Sequence, residues 1–287
     1  MKNDANFVFF GTIPLAYAVL EALREAGFTP SLVIASPDRL DRKKKPVSPS
    51  EKEWALAHGV AVVQPQQLDK DFLNRLREVK HDFYIVASYG KILPQELLAI
   101  PRRGVINLHP SLLPRLRGPS PIRSAILQNE KEIGVSIMLL DEKMDHGPLL
   151  AQKKVPTPEW PMRGKALDEL LAHEGGKLLA SSLPPYLRGE IAPQPQNDDL
   201  ATYCKMFTKE DGLFDLTANS EENLRKIRAF EDWPGTYAFF ERNDKRIRTN
   251  ILDAHIEDKK LVIDRVRPEG GSEMPYADFL RSGARPL

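Results

Sequence analysis

Two periods of apolar residues alternate along the chain, and their order predicts strands interleaved with helices. Phe7 to Phe10 is a continuous apolar run of strand length. After Gly11-Thr12-Ile13-Pro14, residues Leu15, Ala18, Val19, Ala22 and Leu23 fall on one helical face until Gly27 ends it. Ser31 to Ser36, Val60 to Val63, Phe83 to Ser88, Val105 to Leu108, Val135 to Leu140 and Leu149 to Val155 read as further strands. Between them, Ser50 with Glu53 forms a capping box for a helix that runs to His58. Leu68, Phe72, Leu76 and Val79 mark another helix, and Pro119 to Gln128 a third, capped near Gly118-Pro119-Ser120. Leu167, Leu170, Leu171, Leu178 and Leu179 line a long amphipathic helix that covers the sheet and ends at Pro184-Pro185. Such alternation gives an α/β domain of Rossmann-like kind with a mostly parallel sheet.

The pattern changes after Gly189. Residues 189–199 are polar, punctuated by prolines and without period, which predicts an inter-domain linker. Beyond it come short strand-like runs at Tyr237 to Phe240, Ile247 to Leu252 and Leu261 to Val266, the spacing of a small β-barrel. The division expected is a first domain over 1–190 and a second over 200–287.

Composition narrows the classes. At 287 residues the chain can hold a full doubly wound core with a smaller domain beside it. Apolar residues at 41% and charged ones at 28% are ordinary globular usage, which argues against a disordered or membrane protein. No apolar segment has the length of a signal peptide or a transmembrane helix, and the single Cys204 excludes an internal disulfide and a cysteine-based metal cluster. A reducing cytoplasm is the expected location. A net charge of +1 offers nucleic acid no global attraction, so such a partner has to be held by a local cluster. The segment Pro37-Asp38-Arg39-Leu40-Asp41-Arg42-Lys43-Lys44-Lys45-Pro46 is the most basic short stretch. It suits phosphates, and equally a solvated surface run. The turn after the first strand lacks the second and third glycines of the dinucleotide fingerprint, so a nicotinamide or flavin is not expected.

The candidate chemistry lies where Val105 to Leu108 runs into His109, because Pro110 stops the ladder there. Side chains alternate across a strand, so Asn107 and His109 point to one face. Asp145, in the carboxylate-rich turn after Leu140, can face His109 if the two strands are neighbours. Amide, imidazole and carboxylate together suit acyl transfer, in which two donors stabilise an oxyanion and the carboxylate orients the imidazole or takes a proton. Each residue alone also fits an ordinary role: a strand-end turn former, a satisfied polar residue and a loop cap.

The run Asn107-Leu-His-Pro-Ser-Leu-Leu-Pro-Arg-Leu-Arg-Gly118, followed by Gly134-Val135-Ser136 and Asp145-His146-Gly147, resembles the folate-dependent formyltransferases and hydrolases. The resemblance spans about the first four fifths of the chain. It implies that Asn107, His109 and Asp145 are catalytic, with no enzyme nucleophile and no metal, and that 10-formyltetrahydrofolate is the donor. It also implies that Ser111, Leu112, Leu113 and Pro114 border the folate and that the turn Tyr89 to Pro94, through Ile92 and Leu93, seats its pterin ring. From sequence alone that turn is equally an ordinary strand-to-helix connection. The Tyr-Gly-Lys-Ile-Leu-Pro run and the Pro-Asp-Arg opening of the basic loop resemble the members of the family directed to tRNA. On that likeness Arg39, Arg42 and Lys43 are expected tRNA contacts, initiator methionyl-tRNA the acceptor and a monomer the working form. The segment Cys204 to Gly212, with Leu224 to Phe230 and Trp233-Pro234-Gly235, resembles the opening of the family's second domain, and the early end of the chain implies a reduced OB-like barrel. Three rivals stay open: a sugar-nucleotide N-formyltransferase, a formyltetrahydrofolate hydrolase and a non-catalytic RNA-binding protein.

Overall fold

The computed structural model describes residues 5–12, 15–40 and 44–287. The polypeptide divides into two compact units, one comprising residues 1–118, 132–156 and 168–203 and the other 119–131, 157–167 and 204–287.

In the first unit the continuous apolar run near the N-terminus becomes β1 (Phe7–Gly11), buried along its whole length. It is followed by α1 (Leu15–Glu25), β2 (Leu32–Ile34), a small hairpin of β3 (Arg39–Leu40) and β4 (Pro46–Val47), α2 (Ser50–Ala57) and β5 (Ala61–Val63). Then come α3 (Lys70–Glu78), β6 (Phe83–Ala87), α4 (Gln95–Leu98) and β7 (Val105–His109). After α5 (Pro121–Leu127), which belongs to the second unit, the chain forms β8 (Gly134–Leu139), β9 (Leu149–Lys154) and α6 (Gly164–Leu187). Seven strands lie in the order β5-β2-β1-β6-β7-β8-β9. From β5 to β7 they are parallel, whereas β8 runs antiparallel to β7 and β9 antiparallel to β8.

Alternation sorts the side chains onto two layers. Phe7, Phe9, Val33, Ile85, Ile106 and Leu108 pack with α1, α2 and α6 residues such as Leu20, Trp54 and Leu179. Val8, Phe10, Ile34, Tyr84, Val86 and Val105 pack with Phe72 and Leu76 of α3 and Leu97 of α4. Asn107 and His109, two and four residues beyond Val105, therefore lie on the second face, away from α6.

Several boundaries differ from those the pattern predicts. Ser50 does not cap α2: it is the first helical residue, Pro49 is the cap without a side-chain bond, and the Glu53 amide donates to the Pro49 carbonyl at 3.2 Å. Leu68 and Val79 flank α3 rather than belong to it, because the Asp69 carboxylate accepts from the Phe72 amide at 2.9 Å and starts the helix there. Pro184-Pro185 does not end α6, which continues to Leu187. Both residues accept bonds, Pro184 from Arg188 N at 3.2 Å and Pro185 from Glu190 N at 2.9 Å, while Leu183 packs in the core. Burial thus outweighs the two missing donors. The proline-punctuated stretch after it is also hydrogen-bonded into the first unit: Gln194 and Leu149 exchange backbone bonds of 2.8 Å, and residues 198–200 form a short 3-10 turn.

The second unit contains α7 (Ser220–Ala229), β10 (Thr236–Arg242), β11 (Lys245–Glu257), β12 (Lys260–Pro268), β13 (Met274–Pro275), α8 (Tyr276–Arg281) and β14 (Arg285–Pro286). Its five strands form an antiparallel sheet in the order β13-β12-β11-β10-β14, with Ile227 of α7 and Phe279 of α8 packed on Phe240, Ile251 and Val266. The pairings among the described residues leave this sheet open rather than closing it into a ring. Among the described residues no helix is long and apolar enough to cross a membrane.

Beside Ser36 sits a buried acid. Glu51 is inaccessible to solvent and accepts from Ser36 N at 3.4 Å, and among the described residues its second carboxylate oxygen has no hydrogen-bond partner. Burial raises its pKa, offset in part by backbone hydrogen bonds and by Arg39. An acid whose folded pKa is raised binds its proton more tightly when folded, so its charge costs stability as pH rises through the carboxylate range. Glu51→Gln is expected to stabilise the protein at neutral pH and to make no difference near pH 4, about where the unfolded acid titrates. Urea denaturation at the two pH values checks this.

Candidate active site

The parallel strands bring the turns after β1, β6 and β7 to one edge of the sheet, the edge at which open α/β sheets bind ligands. The strand register puts His109 opposite Ser136 on β8. The chain that leaves β8 at Leu139 then folds back along the Asn107 and His109 face, and this return carries Asp145. Asp145 has a φ of 48°, a left-handed conformation that Asp tolerates better than most residues. Its Oδ1 lies 3.7 Å from His109 Nδ1, and its Oδ2 accepts from Gly118 N at 2.8 Å.

Two of the three expected catalytic residues, His109 and Asp145, thus meet, and Asn107 shares the His109 face of β7. His109 is 4% exposed and is held from its other side, with Nε2 2.9 Å from the Leu116 carbonyl oxygen. Both ring nitrogens face acceptor oxygens. Asn107 is 9% exposed, and among the described residues its side-chain amide has no hydrogen-bond partner. A nearly buried amide left open beside a histidine and a carboxylate is what an oxyanion donor requires before its substrate arrives.

A network fixes the loop that follows His109. Ser136 Oγ donates to the Ser111 carbonyl at 2.6 Å and accepts from Leu113 N at 3.1 Å and from Gln152 Nε2 at 2.9 Å. Gln152 Nε2 also donates to the Leu113 carbonyl at 2.7 Å. Ser111 and Leu113 are buried, and Leu112 lies over Gly134, where a Cβ would collide with it. On the neighbouring turn, Tyr89 is half-buried, its hydroxyl has no hydrogen-bond partner among the described residues, and burial pushes the phenol up to about 12. Ile92 is 90% exposed, whereas Leu93 packs on the core. Gln95, at the start of α4, hydrogen-bonds Glu142, so this turn and the loop of Asp145 adjoin. Arg39 is exposed on the β3–β4 hairpin and lines a small cleft with Thr12, Ser36, Ser48 and Pro49. Arg42 and Lys43 lie outside the described residues.

The sequence reading missed the far wall of the site. Arg117, 1% exposed, donates to Gln196 Oε1 at 2.9 Å and to Asp198 Oδ1 at 2.7 Å. Gln196 Nε2 in turn donates to the Asp145 and Gly147 carbonyls at 2.9 and 2.7 Å. His146 bridges Asp141 Oδ2 at 2.6 Å and Asp198 Oδ2 at 3.3 Å. The hydrogen bond from Arg117, with a lesser contribution from His146, holds the Asp198 carboxyl below its ordinary range. These contacts brace the loop of Asp145 from the segment that reads as a linker; its signal was weak, because hydrogen-bonded extended chain has no period.

Residues 5–182 match the formyl transferase family and residues 206–260 the formyl transferase C-terminal domain. The chain belongs to the formyl transferase family. A methionyl-tRNA formyltransferase of Chloroflexus aggregans is 43% identical to it over 244 residues, 84% of this chain and 79% of the relative. That of Halorhodospira halophila is 35% identical over 297 residues, 96% of each. Among solved structures, HypX from Aquifex aeolicus in complex with tetrahydrofolic acid superposes with a TM-score of 0.67 at 17% identity, over 95% of this chain and 46% of that one. At that identity the likeness concerns the fold. The formyltransferase therefore has a family-wide reaction type to which its open amide, imidazole and carboxylate can be compared.

Proposed function

We propose that the protein transfers the formyl group of 10-formyltetrahydrofolate to the α-amino group of methionyl-tRNA, the step that prepares initiator tRNA. The observation that carries the reaction is the approach of His109 and Asp145 at the end of β7, on the strand face that also carries Asn107. The acceptor is supported by relatives named methionyl-tRNA formyltransferase that align over nearly the whole chain. In this reading the substrate amine attacks the formyl carbon. The Asn107 amide and the His109 imidazole donate to the oxyanion, and Asp145 orients His109 and accepts a proton. The attacking group comes from the substrate, so the protein's part is positioning and electrostatics.

The loop Ser111, Leu112, Leu113 and Pro114 borders the donor, with its exposure limited by the Ser136 network. Ile92 and Leu93 lie under the pterin ring, and an isoleucine left 90% exposed on the neighbouring turn supports that role. The chemistry is assigned to residues 1–190 and acceptor holding also to 200–287, the segment that carries the five-stranded antiparallel sheet. The protein works as a cytoplasmic monomer.

One assay tests the acceptor: purified protein and labelled formyl donor, incubated with methionyl-tRNA, with amino sugars or with neither. Label in methionyl-tRNA alone supports the reading; label in sugars, or release of formate without an amine, replaces it. The basic loop has its own test. Each phosphate contact adds about 0.7 to 0.9 to the log-affinity slope against log salt. Arg42→Ala combined with Lys43→Ala, or Arg39→Ala, is expected to raise the Michaelis constant for methionyl-tRNA and flatten its salt dependence, with folate binding unchanged. Kinetics identical to wild type at low and high salt would leave the loop a solvated charge run.

A further inference from the structure

One exposed aromatic stands beside the catalytic set without a role in it. Tyr203 is 64% exposed, and its backbone is zipped onto the loop that follows Pro114. Thr202 N donates to the Pro114 carbonyl at 3.2 Å, Arg117 N to the Thr202 carbonyl at 2.8 Å and Leu116 N to Thr202 Oγ1 at 2.9 Å. That is the loop whose Leu116 carbonyl receives His109 and whose Gly118 amide holds Asp145. The ring is consequently referenced to the reacting atoms through short, mostly backbone links.

The side chain is fixed as well. Arg117 Nη1 lies 3.3 Å from the Tyr203 hydroxyl, and its guanidinium carbon 6.0 Å from the ring centroid. Arg117 thus holds the phenol through its hydroxyl and a distant cation–π approach, and the residue as a whole stays 64% exposed. Arg117 is itself buried and tied to Gln196 and Asp198, so its contribution is to orient the phenol.

We propose that Tyr203 is the platform on which the terminal adenine of the acceptor stacks. The inference rests on the reading of methionyl-tRNA as acceptor. In an aminoacyl ester the attacking amine is joined to the terminal ribose through Cα and the ester carbonyl, a few bonds of about 1.5 Å each. The adenine must then lie within roughly 10 Å of the formyl carbon, where only the rim of the site can receive it. Among the described residues of the segments around the set, 89–94, 111–118, 141–147 and 194–203, Tyr203 is the exposed aromatic; Tyr89 is half-buried. Stacking on a base needs only a rigid π face.

The test separates a platform from a mere cover over Arg117. Tyr203→Leu keeps apolar cover without a π face, Tyr203→Phe keeps the face without the hydroxyl, and Tyr203→Trp enlarges the face. With methionyl-tRNA, the leucine variant is expected to raise KM about five- to a hundred-and-fifty-fold, the loss typical for a stacked base, with kcat nearly kept. The phenylalanine and tryptophan variants should stay within about threefold of wild type, since the stacking face survives. Wild-type protein should also use 2′(3′)-O-methionyl-adenosine better than methionine methyl ester, and the leucine variant should lose that preference. Circular dichroism and thermal melts verify that the variants are folded. A folded leucine variant with wild-type KM, or one that still prefers the adenosine ester, overturns the platform. Wild-type protein that leaves methionyl-tRNA unformylated overturns the acceptor reading instead, a different result from either.

Discussion

Asn107→Ala is expected to lower turnover by about a hundred- to a thousand-fold, the usual cost of losing one oxyanion donor. The amide is nearly buried and without a hydrogen-bond partner among the described residues, so its removal breaks no hydrogen bond there and should leave stability close to wild type. Folate affinity should also survive, because a contact made only in the transition state changes kcat rather than ground-state binding. His109→Ala should be at least as severe in turnover, and it additionally frees the Leu116 carbonyl and the Asp145 carboxylate that the ring now faces. Steady-state kinetics together with a folate titration check both variants. A folded Asn107→Ala protein with near-normal turnover would remove Asn107 from the proposed mechanism.

The strand that carries Asn107 and His109 was legible in the sequence because its cause is local. Proline after His109 ends the ladder, and alternation alone puts Asn107 and His109 on one face, as found. The sheet was legible for the same reason: buried apolar runs mark β1, β2, β6, β7 and β8, while the edge strands β5 and β9 are largely exposed and were marked by short apolar stretches alone. What was not legible depends on tertiary contacts. Pro184 and Pro185 read as a stop, yet Leu179 and Leu183 on either side of the turn before them bury deeply enough to carry α6 onward. Ser50 and Glu53 have capping spacing, but the chain enters α2 one residue earlier than that box requires.

The segment before Tyr203 shows the same limit at the site itself. Gln194, Gln196 and Asp198 have the composition of a linker, and each is held in place by a partner far away in sequence: Leu149, Arg117 and His146. No window along the chain contains both halves of such a pair. The motif Asp145-His146-Gly147 pointed to a carboxylate, but the reason for its other two residues emerges only in three dimensions, where His146 joins two acids and Gly147 passes tightly under a strand end.

That close passage makes Gly147→Ala the second variant of large expected effect. A Cβ on Gly147 would sit inside the van der Waals envelope of the Leu139 carbonyl oxygen and 3.3 Å from Asp141 N, both backbone atoms that cannot swing aside. Leu139 is tied down on both sides, since its amide donates to the Pro148 carbonyl at 2.9 Å and its strand pairs with Ile106. Relief therefore falls on the loop 141–147, and Asp145 moves with it. Displacement of that loop strains the 2.8 Å bond from Gly118 N and the 3.7 Å approach to His109, and the Gln196 bonds to the Asp145 and Gly147 carbonyls are strained as well. A misplacement of about 1 Å at a catalytic group typically costs on the order of a hundredfold in rate. Gly147→Ala is expected to lower kcat by about that factor and to reduce stability, whereas Asp145→Asn, which keeps the backbone path, should lower kcat with little loss of stability. Comparing turnover with denaturation midpoints for the two variants separates displacement of the carboxylate from loss of its charge. A Gly147→Ala protein with unaltered turnover would mean that Asp145 need not be held where the loop now holds it.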